Sequence, residues 1–412
     1  MTVLQCEDCS RRLDEMSPVV RCPECGGLLS AHHDFSGLSP EKLRTEWART
    51  GAGAGRSAAN RSGVWRFAAL VLPSAADPVS YPEGNTPLLR RGALGRWAGV
   101  PDLGFKHEGL NPTGSFKDRG MTVGVTQAVR LGARAVVCAS TGNTSASLAA
   151  YAGQAGLPAL VLVPSGQVAL GKLAQTTGFG ARVLAVRGDF DACMALVEKA
   201  SAELGFYLLN SVNPFRVEGQ KTIVFELLAD REWDPPDWIV LPGGNLGNTA
   251  AFGKALSEAR RLGLIDRMPR LAVIQAEGAA PFAASYRGGF AERLTVAADT
   301  VATAIRIGNP ASWNRAVRAI RDTAGVVATV SDQEILEAHR EINRAGVGCE
   351  PASAASLAGV RRLAGTGTIA PGASVVAVLT GNMLKDPDRL LSDAPVQEVD
   401  PTLAALEKAA RS

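Results

Sequence analysis

The chain has 412 residues, room for two or three domains at roughly 150 residues each. Hydrophobic residues make up 46% and charged residues 20%, while 43 basic against 40 acidic side chains leave a net charge of +3. That near balance gives no field for nucleic acid or a membrane surface, and no stretch approaches the ~18 apolar residues that span a bilayer.

The N-terminus, MTVLQCEDCS, has no basic patch followed by an apolar run, so no secretory signal is expected. Four of the seven cysteines fall in the first 25 residues. CEDC and CPECGG place Cys6, Cys9, Cys22 and Cys25 as two CxxC pairs. Each pair suits a knuckle turn, and two knuckles supply the tetrahedral sulfur set that Zn2+ prefers. Disulfides or free thiols are the competing reading, and His32 and His33 could compete as ligands. With four cysteines available, the histidines are expected at the surface. A head of residues 1–35 buries little core, so the metal is expected to supply most of its folding energy, in a structural role. Cys138, Cys193 and Cys349 sit in apolar segments and read as small buried residues. This usage fits a cytoplasmic compartment.

Residues 36–62, with GAGAGRSAAN, read as a linker or loose helical connection, and the body begins near GVWRF at Gly63. Beyond residue 118, apolar runs alternate with helix-period segments. Strands are expected at 134–140, 158–164, 182–187, 206–211, 237–244, 271–277 and 374–382. The segment 189–205 is a helix that Asp189 or Asp191 can cap and Gly205 can end. Continuous apolar strands separated by helices predict an α/β fold with largely parallel sheets covered on both faces. Ligands in such folds sit beyond the carboxyl ends of the strands.

Three strand exits and one lysine stand out. After 134–140 comes STGNTSAS, where Ser140, Thr141, Asn143, Thr144 and Ser145 crowd a glycine-bent turn opening a helix. Such a turn offers a cradle for a carboxylate, although an N-cap would explain one or two of these residues. After 237–244 comes GGNLGNTAAF, where glycines and a helix start make a phosphate cradle by mechanism. No GxxxxGK[ST] is present, which disfavours a nucleoside triphosphate. After 374–382, LTGN offers Thr380, which could meet a heterocycle nitrogen or only cap a turn. In NPTGSFKDRG, Lys117 sits between a glycine turn and an acid–base pair. A phosphate cradle, a carboxylate cradle and a lysine in a tight loop together point to pyridoxal 5'-phosphate, a phosphorylated aldehyde that a lysine amine captures.

EGLNPTGSFKDRG resembles the lysine loop of the threonine synthase family, within the fold-type II pyridoxal-phosphate enzymes. YPEGNTPLL, STGNTSASLAAYA, SGQVALGKLAQ, NSVNPFRVEGQKT, TAIRIGNPASW, CEPASAASLAG and LTGNMLKDPD resemble segments of that family in the same order, from about residue 63 to residue 388. The cysteine head is similar to the zinc-ribbon-like extension that some members carry and others lack, so catalysis is expected not to need it. The resemblance implies two doubly wound α/β domains. Residues 63–120 and 215–395 would form the larger, cofactor-binding one, and 121–214 a smaller, mobile one. It also implies a homodimer.

By matching position, Lys117 would be the Schiff-base lysine and Asn143 would bond the cofactor's phenolic oxygen. Gly244, Asn245, Leu246, Gly247 and Asn248 would hold its phosphate, and Thr380 would meet the pyridine nitrogen. Ser140, Thr141, Asn143 and Thr144 would surround the substrate, the hydroxyls taking its α-carboxylate. Ser211, Asn213 and Arg216 would bind the substrate's own phosphate, with help from Lys221. The reaction implied converts O-phospho-L-homoserine and water to L-threonine and phosphate.

One departure stands out. Members commonly carry TGHGLKDP where this chain has TGNMLKDP, so Asn382 and Met383 replace a histidine and a glycine. Asparagine cannot shuttle a proton near neutral pH, which leaves room for a paralogue doing β-replacement or elimination on another amino acid. A zinc-dependent binding module with an inactive enzyme body is the reading from another class, and the complete set of capture residues argues against it.

Overall fold

The computed structural model describes residues 2–51, 61–166, 170–387 and 398–411. The head is a three-stranded antiparallel sheet in the order β2-β1-β3, from β1 (Thr2–Cys6), β2 (Arg12–Asp14) and β3 (Leu29–His33). Strand alternation turns Leu29, Ala31 and His33 to one face and His32 to the other. Leu4, Leu29 and Ala31 join an apolar cluster that runs through Leu43, Trp47, Phe67 and Phe225 into the body.

Two expectations are corrected here. The head shares the body's core, so apolar burial supports it alongside any metal. His33 is buried, not at the surface. The segment 36–62 is helical over Pro40–Gly51, where the Trp47 and Phe67 rings meet at 4.9 Å. Residues 52–60, which hold nearly all of the glycine-rich run, lie outside the described residues.

The body's strands, in chain order, are β4 (Leu88–Arg90), β5 (Leu103–His107), β6 (Ala135–Ala139), β7 (Ala159–Pro164), β8 (Arg182–Val186) and β9 (Phe206–Leu208). They continue with β10 (Trp238–Pro242), β11 (Arg270–Ala276), β12 (Val326–Val330) and β13 (Val375–Leu379). One sheet has six strands in the order β12-β11-β10-β13-β5-β4, parallel except for β4. The other has four parallel strands in the order β8-β7-β6-β9. Central strands such as β6, β10 and β13 are buried at every residue, which is why they read as unbroken apolar runs. Each run expected to be a strand holds one, with ends shifted by up to three residues. The expected helix spans Phe190–Leu204, with the Asp189 side chain accepting from Ala192 N and Gly205 left-handed at φ 69°. The head strands, β4, β5 and β12 were not anticipated. In β5 a buried charge, Lys106, interrupts the apolar pattern and is held by Glu226 and Asp230 at 2.7 Å each.

The chain enters the four-stranded sheet through helix Lys117–Arg130 and leaves it through helix Pro214–Gln220. These two helices touch backbone to backbone. A Cβ added at Gly219 would stand 1.7 Å from Arg119 O, and one at Gly120 would stand 3.0 Å from Arg216 O. Glycine at both positions lets the segments bearing Lys117 and Arg216 lie against each other.

Candidate active site

The acid–base pair after Lys117 anchors the lysine loop. Asp118 accepts from Thr113 N at 2.7 Å, Thr113 Oγ1 at 2.6 Å and Ser147 Oγ at 2.6 Å. Burial pushes its carboxyl up to about 6. Arg119, fully buried, donates to both oxygens of Glu108 at 2.6 and 2.8 Å and to Glu226 at 2.8 Å. Phe116 N donates to Thr380 O at 3.0 Å, and Asn382 N to Gly114 O at 2.9 Å. The loop is thus pinned to the exit of β13, and Lys117 is fixed at the first position of its helix.

Lys117 lies in the wall of a cavity of about 620 Å3, partly accessible from it. The protein around the amine lowers its pKa to about 7, with burial the main cause and the Arg216 cation the second; Glu350 opposes both. A neutral amine is then available near neutral pH. The same cavity is lined by Ser140, Thr141, Asn143, Thr144, Ser211, Arg216, Thr380 and residues 244–248. All three strand exits therefore open onto Lys117. A wider depression of about 810 Å3 around Arg66, Asn85 and Asp230 gathers none of these residues.

At the exit of β10, Leu246 is left-handed at φ 62° and the fifteen-residue helix Gly247–Arg261 begins. A Cβ on Gly244 would meet Ile305 Cα at 3.1 Å, so glycine is required against the 303–307 wall. Asn248 Oδ1 and Thr249 Oγ1 are buried without a hydrogen-bond partner, unusual for native polar groups. Asn245 is occupied with scaffolding. Its Nδ2 donates to Ser211 Oγ at 3.1 Å and its Oδ1 accepts from Ala311 N at 3.0 Å.

Thr380, 6% exposed, shares a hydrogen bond of 2.8 Å with Ser353 Oγ, which also accepts from Gly381 N at 2.9 Å. With Ser353 donating to it, the Thr380 hydroxyl is free to donate into the cavity. Asn143 Nδ2 donates to Glu350 Oε2 at 3.0 Å. A neutral amine, a helix start with unsatisfied polar atoms and a hydroxyl around one cavity of about 620 Å3 fit pyridoxal 5'-phosphate.

Arg216 is 2% exposed. Its Nη1 donates to Leu209 O at 3.1 Å, while Nε and Nη2 have no partner. Burial lowers its pKa to about 10, so it stays cationic at neutral pH. A buried cation with open donors in a cavity wall is a receptor for an anion.

Two expected residues are not brought to the cavity. Asn213 is fully buried and caps helix Pro214–Gln220, accepting from Phe215 N at 3.0 Å and Arg216 N at 3.3 Å and donating to Leu208 O. It orients Arg216 from behind. Lys221 is buried between Glu218 and Glu258 at 2.5 and 2.8 Å. Asn382 and Met383 are also absent from the cavity lining. Asn382 accepts from Leu384 N and donates to Gly109 O at 3.2 Å, and Met383 packs on Gly348. The departure from the common pattern is a turn-capping change behind the site.

Residues 79–381 match the family described as pyridoxal-phosphate dependent enzyme. The chain is 46% identical over 393 residues to the threonine synthase of Methanosarcina acetivorans, covering 94% of this chain and 93% of that one. It is 48% identical over 344 residues to the threonine synthase of Mycobacterium tuberculosis, covering 82% and 93%. The chain belongs to the threonine synthase family of pyridoxal-phosphate-dependent enzymes. The crystal structure of threonine synthase from Escherichia coli superposes with a TM-score of 0.71 over 99% of this chain and 94% of that one, at 20% identity, which shows a shared fold.

Two residues at the site carry no functional signal in the sequence: Glu350, which lines the cavity, and Ser353, which bonds Thr380. Glu350, 5% exposed, and Ser353, fully buried, start helix Pro351–Gly365. Burial raises the Glu350 carboxyl, while Asn143, Lys385 and Lys117 draw it down. The only sequence signal was the segment CEPASAAS itself, which reads as an ordinary helix start.

In the head, the four cysteine sulfurs lie within 4.8 Å of one another, with Cys6–Cys25 at 3.4 Å and Cys9–Cys22 at 3.6 Å. These separations are far beyond the ~2.05 Å of a disulfide and close to the edge of a tetrahedron with ~2.3 Å metal–sulfur bonds. A Cβ on Gly27 would meet Cys6 Sγ at 2.9 Å, so glycine is needed for the second knuckle to close.

Proposed function

We propose that this protein converts O-phospho-L-homoserine and water to L-threonine and phosphate, with pyridoxal 5'-phosphate held by Lys117 and the 244–248 loop. The observation that carries this reading is the pairing, in one cavity, of the Lys117 amine with the open Nε and Nη2 of Arg216. When bound, the cofactor supplies an electron sink for the charge left on a substrate carbon that loses its proton.

The chain's own residues do the rest. Lys117, with a pKa near 7, takes the Cα proton and returns it at the end. Arg216 holds the substrate phosphate and stabilises the negative charge that grows on it as a Cβ proton leaves and the Cγ–O bond breaks; Cγ then gains a proton and water adds at Cβ. Ser140, Thr141 and Thr144, at the start of helix Asn143–Ala155, take the α-carboxylate, a task that the helix dipole and free amides support. Thr380 meets the ring nitrogen. Asn143, now bonded to Glu350, would hold the cofactor's phenolic oxygen.

We further infer that the four cysteines hold a structural Zn2+ and that the protein works in the cytoplasm as a homodimer. The larger lobe comprises residues 63–120 and 215–395, of which 388–395 lie outside the described residues, and the smaller lobe, 121–214, moves on substrate binding. Among the described residues no helix is long and apolar enough to cross a membrane.

The test supplies O-phospho-L-homoserine to the holoenzyme and measures phosphate and threonine together. Equal yields support the reading. Phosphate without threonine means that water does not reach Cβ and another nucleophile or an elimination is served. Neither product overturns it.

A further inference from the structure

The helix that carries Arg216 is only seven residues long, Pro214–Gln220, and it lies between two very different neighbours. On one side is the Lys117 helix, at glycine contact. On the other is β3 of the cysteine head. Two residues after Arg216, Glu218 is fully buried and turned to that second side. His33 Nε2 meets Glu218 Oε2 at 2.7 Å, and both side chains are wholly inaccessible. The other ring nitrogen, Nδ1, lies 3.0 Å from Thr2 Oγ1 on β1.

Burial keeps the His33 ring below its ordinary pKa, so the neutral imidazole donates from Nε2 to Glu218 and accepts the Thr2 hydroxyl at Nδ1. Burial alone would raise the Glu218 carboxyl, but Lys221, Lys254 and His33 outweigh it and hold the group well below the usual range. Lys254 bonds Glu218 Oε1 and also Ala31 O of β3. On the same strand, Leu29 O accepts from Arg315, whose Nε donates to Glu7 beside Cys6 at 3.3 Å. The strand that pairs with Cys6 through Leu29 is thereby tied at two points to Glu218.

We propose that His33 and Glu218 are positioning residues for Arg216: the cysteine head sets the orientation of the substrate-phosphate receptor through this buried contact. The proposal rests on the reading of Arg216 as that receptor. The geometry supports it because His33 grips the short helix at Glu218, two residues from Arg216, beside the ion pairs from Lys221 and Lys254, and because Arg216 is held in its own wall by one hydrogen bond to Leu209 O. A small turn of the helix moves the open guanidinium face relative to the cavity. The head then matters to substrate affinity, although no head residue lines the cavity.

A two-background comparison on the holoenzyme tests this, with KM and kcat for O-phospho-L-homoserine and the Kd of inorganic phosphate as readouts. His33→Leu is expected to raise KM and the phosphate Kd roughly five- to tenfold, the scale of one ordinary hydrogen bond passed on to the receptor, with kcat within about twofold. His33→Gln, whose amide can occupy the Nε2 position, restores most of the loss. In an Arg216→Ala background, His33→Leu changes neither constant further, because the residue it acts through is gone.

The same factor in both backgrounds, or no change in the wild-type background, overturns the proposal. If Arg216→Ala alone leaves KM and the phosphate Kd unchanged, the underlying reading of Arg216 has failed instead. Should His33→Leu not fold, Thr2→Val removes only the hydroxyl that orients the ring and carries the same comparison, with a smaller rise expected and the same outcomes decisive.

Discussion

Asn143 and Glu350 meet at 3.0 Å across the cavity, joining the first residue of a helix on the four-stranded sheet to the N-cap of a helix on the six-stranded sheet. Two elements more than 200 residues apart in sequence converge beside Lys117. Asn143 lies just past the exit of β6, whereas Glu350 closes the loop that follows helix Asp332–Arg344.

Glu350 opposes the lowering of the Lys117 pKa. Glu350→Gln removes that opposition, so the amine loses its proton at lower pH. In the wild type, capture of pyridoxal 5'-phosphate by the apoprotein should rise about tenfold per pH unit below about 7 and level off above it, because only the unprotonated amine attacks. The Gln variant should shift the midpoint downward. Stopped-flow absorbance during reconstitution measures both; an upward shift contradicts the electrostatic account.

Arg216→Ala removes two open donors and a cation. KM for O-phospho-L-homoserine should rise about tenfold to a hundredfold, the worth of a charge-assisted hydrogen bond or two, and Arg216→Lys should recover only part of it. Because Arg216 also holds the Lys117 pKa down, the midpoint of cofactor capture should move up in the Ala variant. Steady-state kinetics and the reconstitution profile must change together.

Gly219→Ala places a methyl 1.7 Å from Arg119 O, where the neighbour is backbone and cannot yield. Stability should fall by about 3 kcal/mol or more, and cofactor binding should weaken because the helices bearing Lys117 and Arg216 are forced apart. Urea unfolding with and without pyridoxal 5'-phosphate checks this. A loss under about 0.5 kcal/mol, the range of an inert surface change, would contradict the packing described.

Cys9→Ser should abolish stoichiometric zinc in the purified protein and lower its melting temperature. Because Leu4, Leu29 and Ala31 belong to the body's core, most helical circular dichroism and the bound-cofactor absorbance should persist at 25 °C. Metal analysis and a thermal melt decide the matter; global unfolding on metal loss would mean that the shared core does little.

The parallel sheets were legible because strands buried on both faces leave unbroken apolar runs, as in WIVLP of β10 and VVAVL of β13. That Lys117 and the 244–248 loop face one cavity was legible because glycine turns, strand exits and helix starts are local features. What escaped was long-range. Glu350 looks like any helix start until the fold sets Asn143 against it. Asn213 has the right chemistry for a phosphate, but its amide is consumed by the Arg216 helix cap. His33 appeared to be a surface residue because nothing in LSAHH reveals that Glu218 waits behind it.

The central claim is that the Lys117 amine captures the cofactor's aldehyde. Borohydride treatment of the holoenzyme followed by peptide mass analysis tests it most directly. A reduced pyridoxyl label on the peptide containing Lys117, lost with the visible absorbance in Lys117→Ala, is the predicted result. A label on Lys221, Lys254 or Lys385, or none at all, would contradict the account.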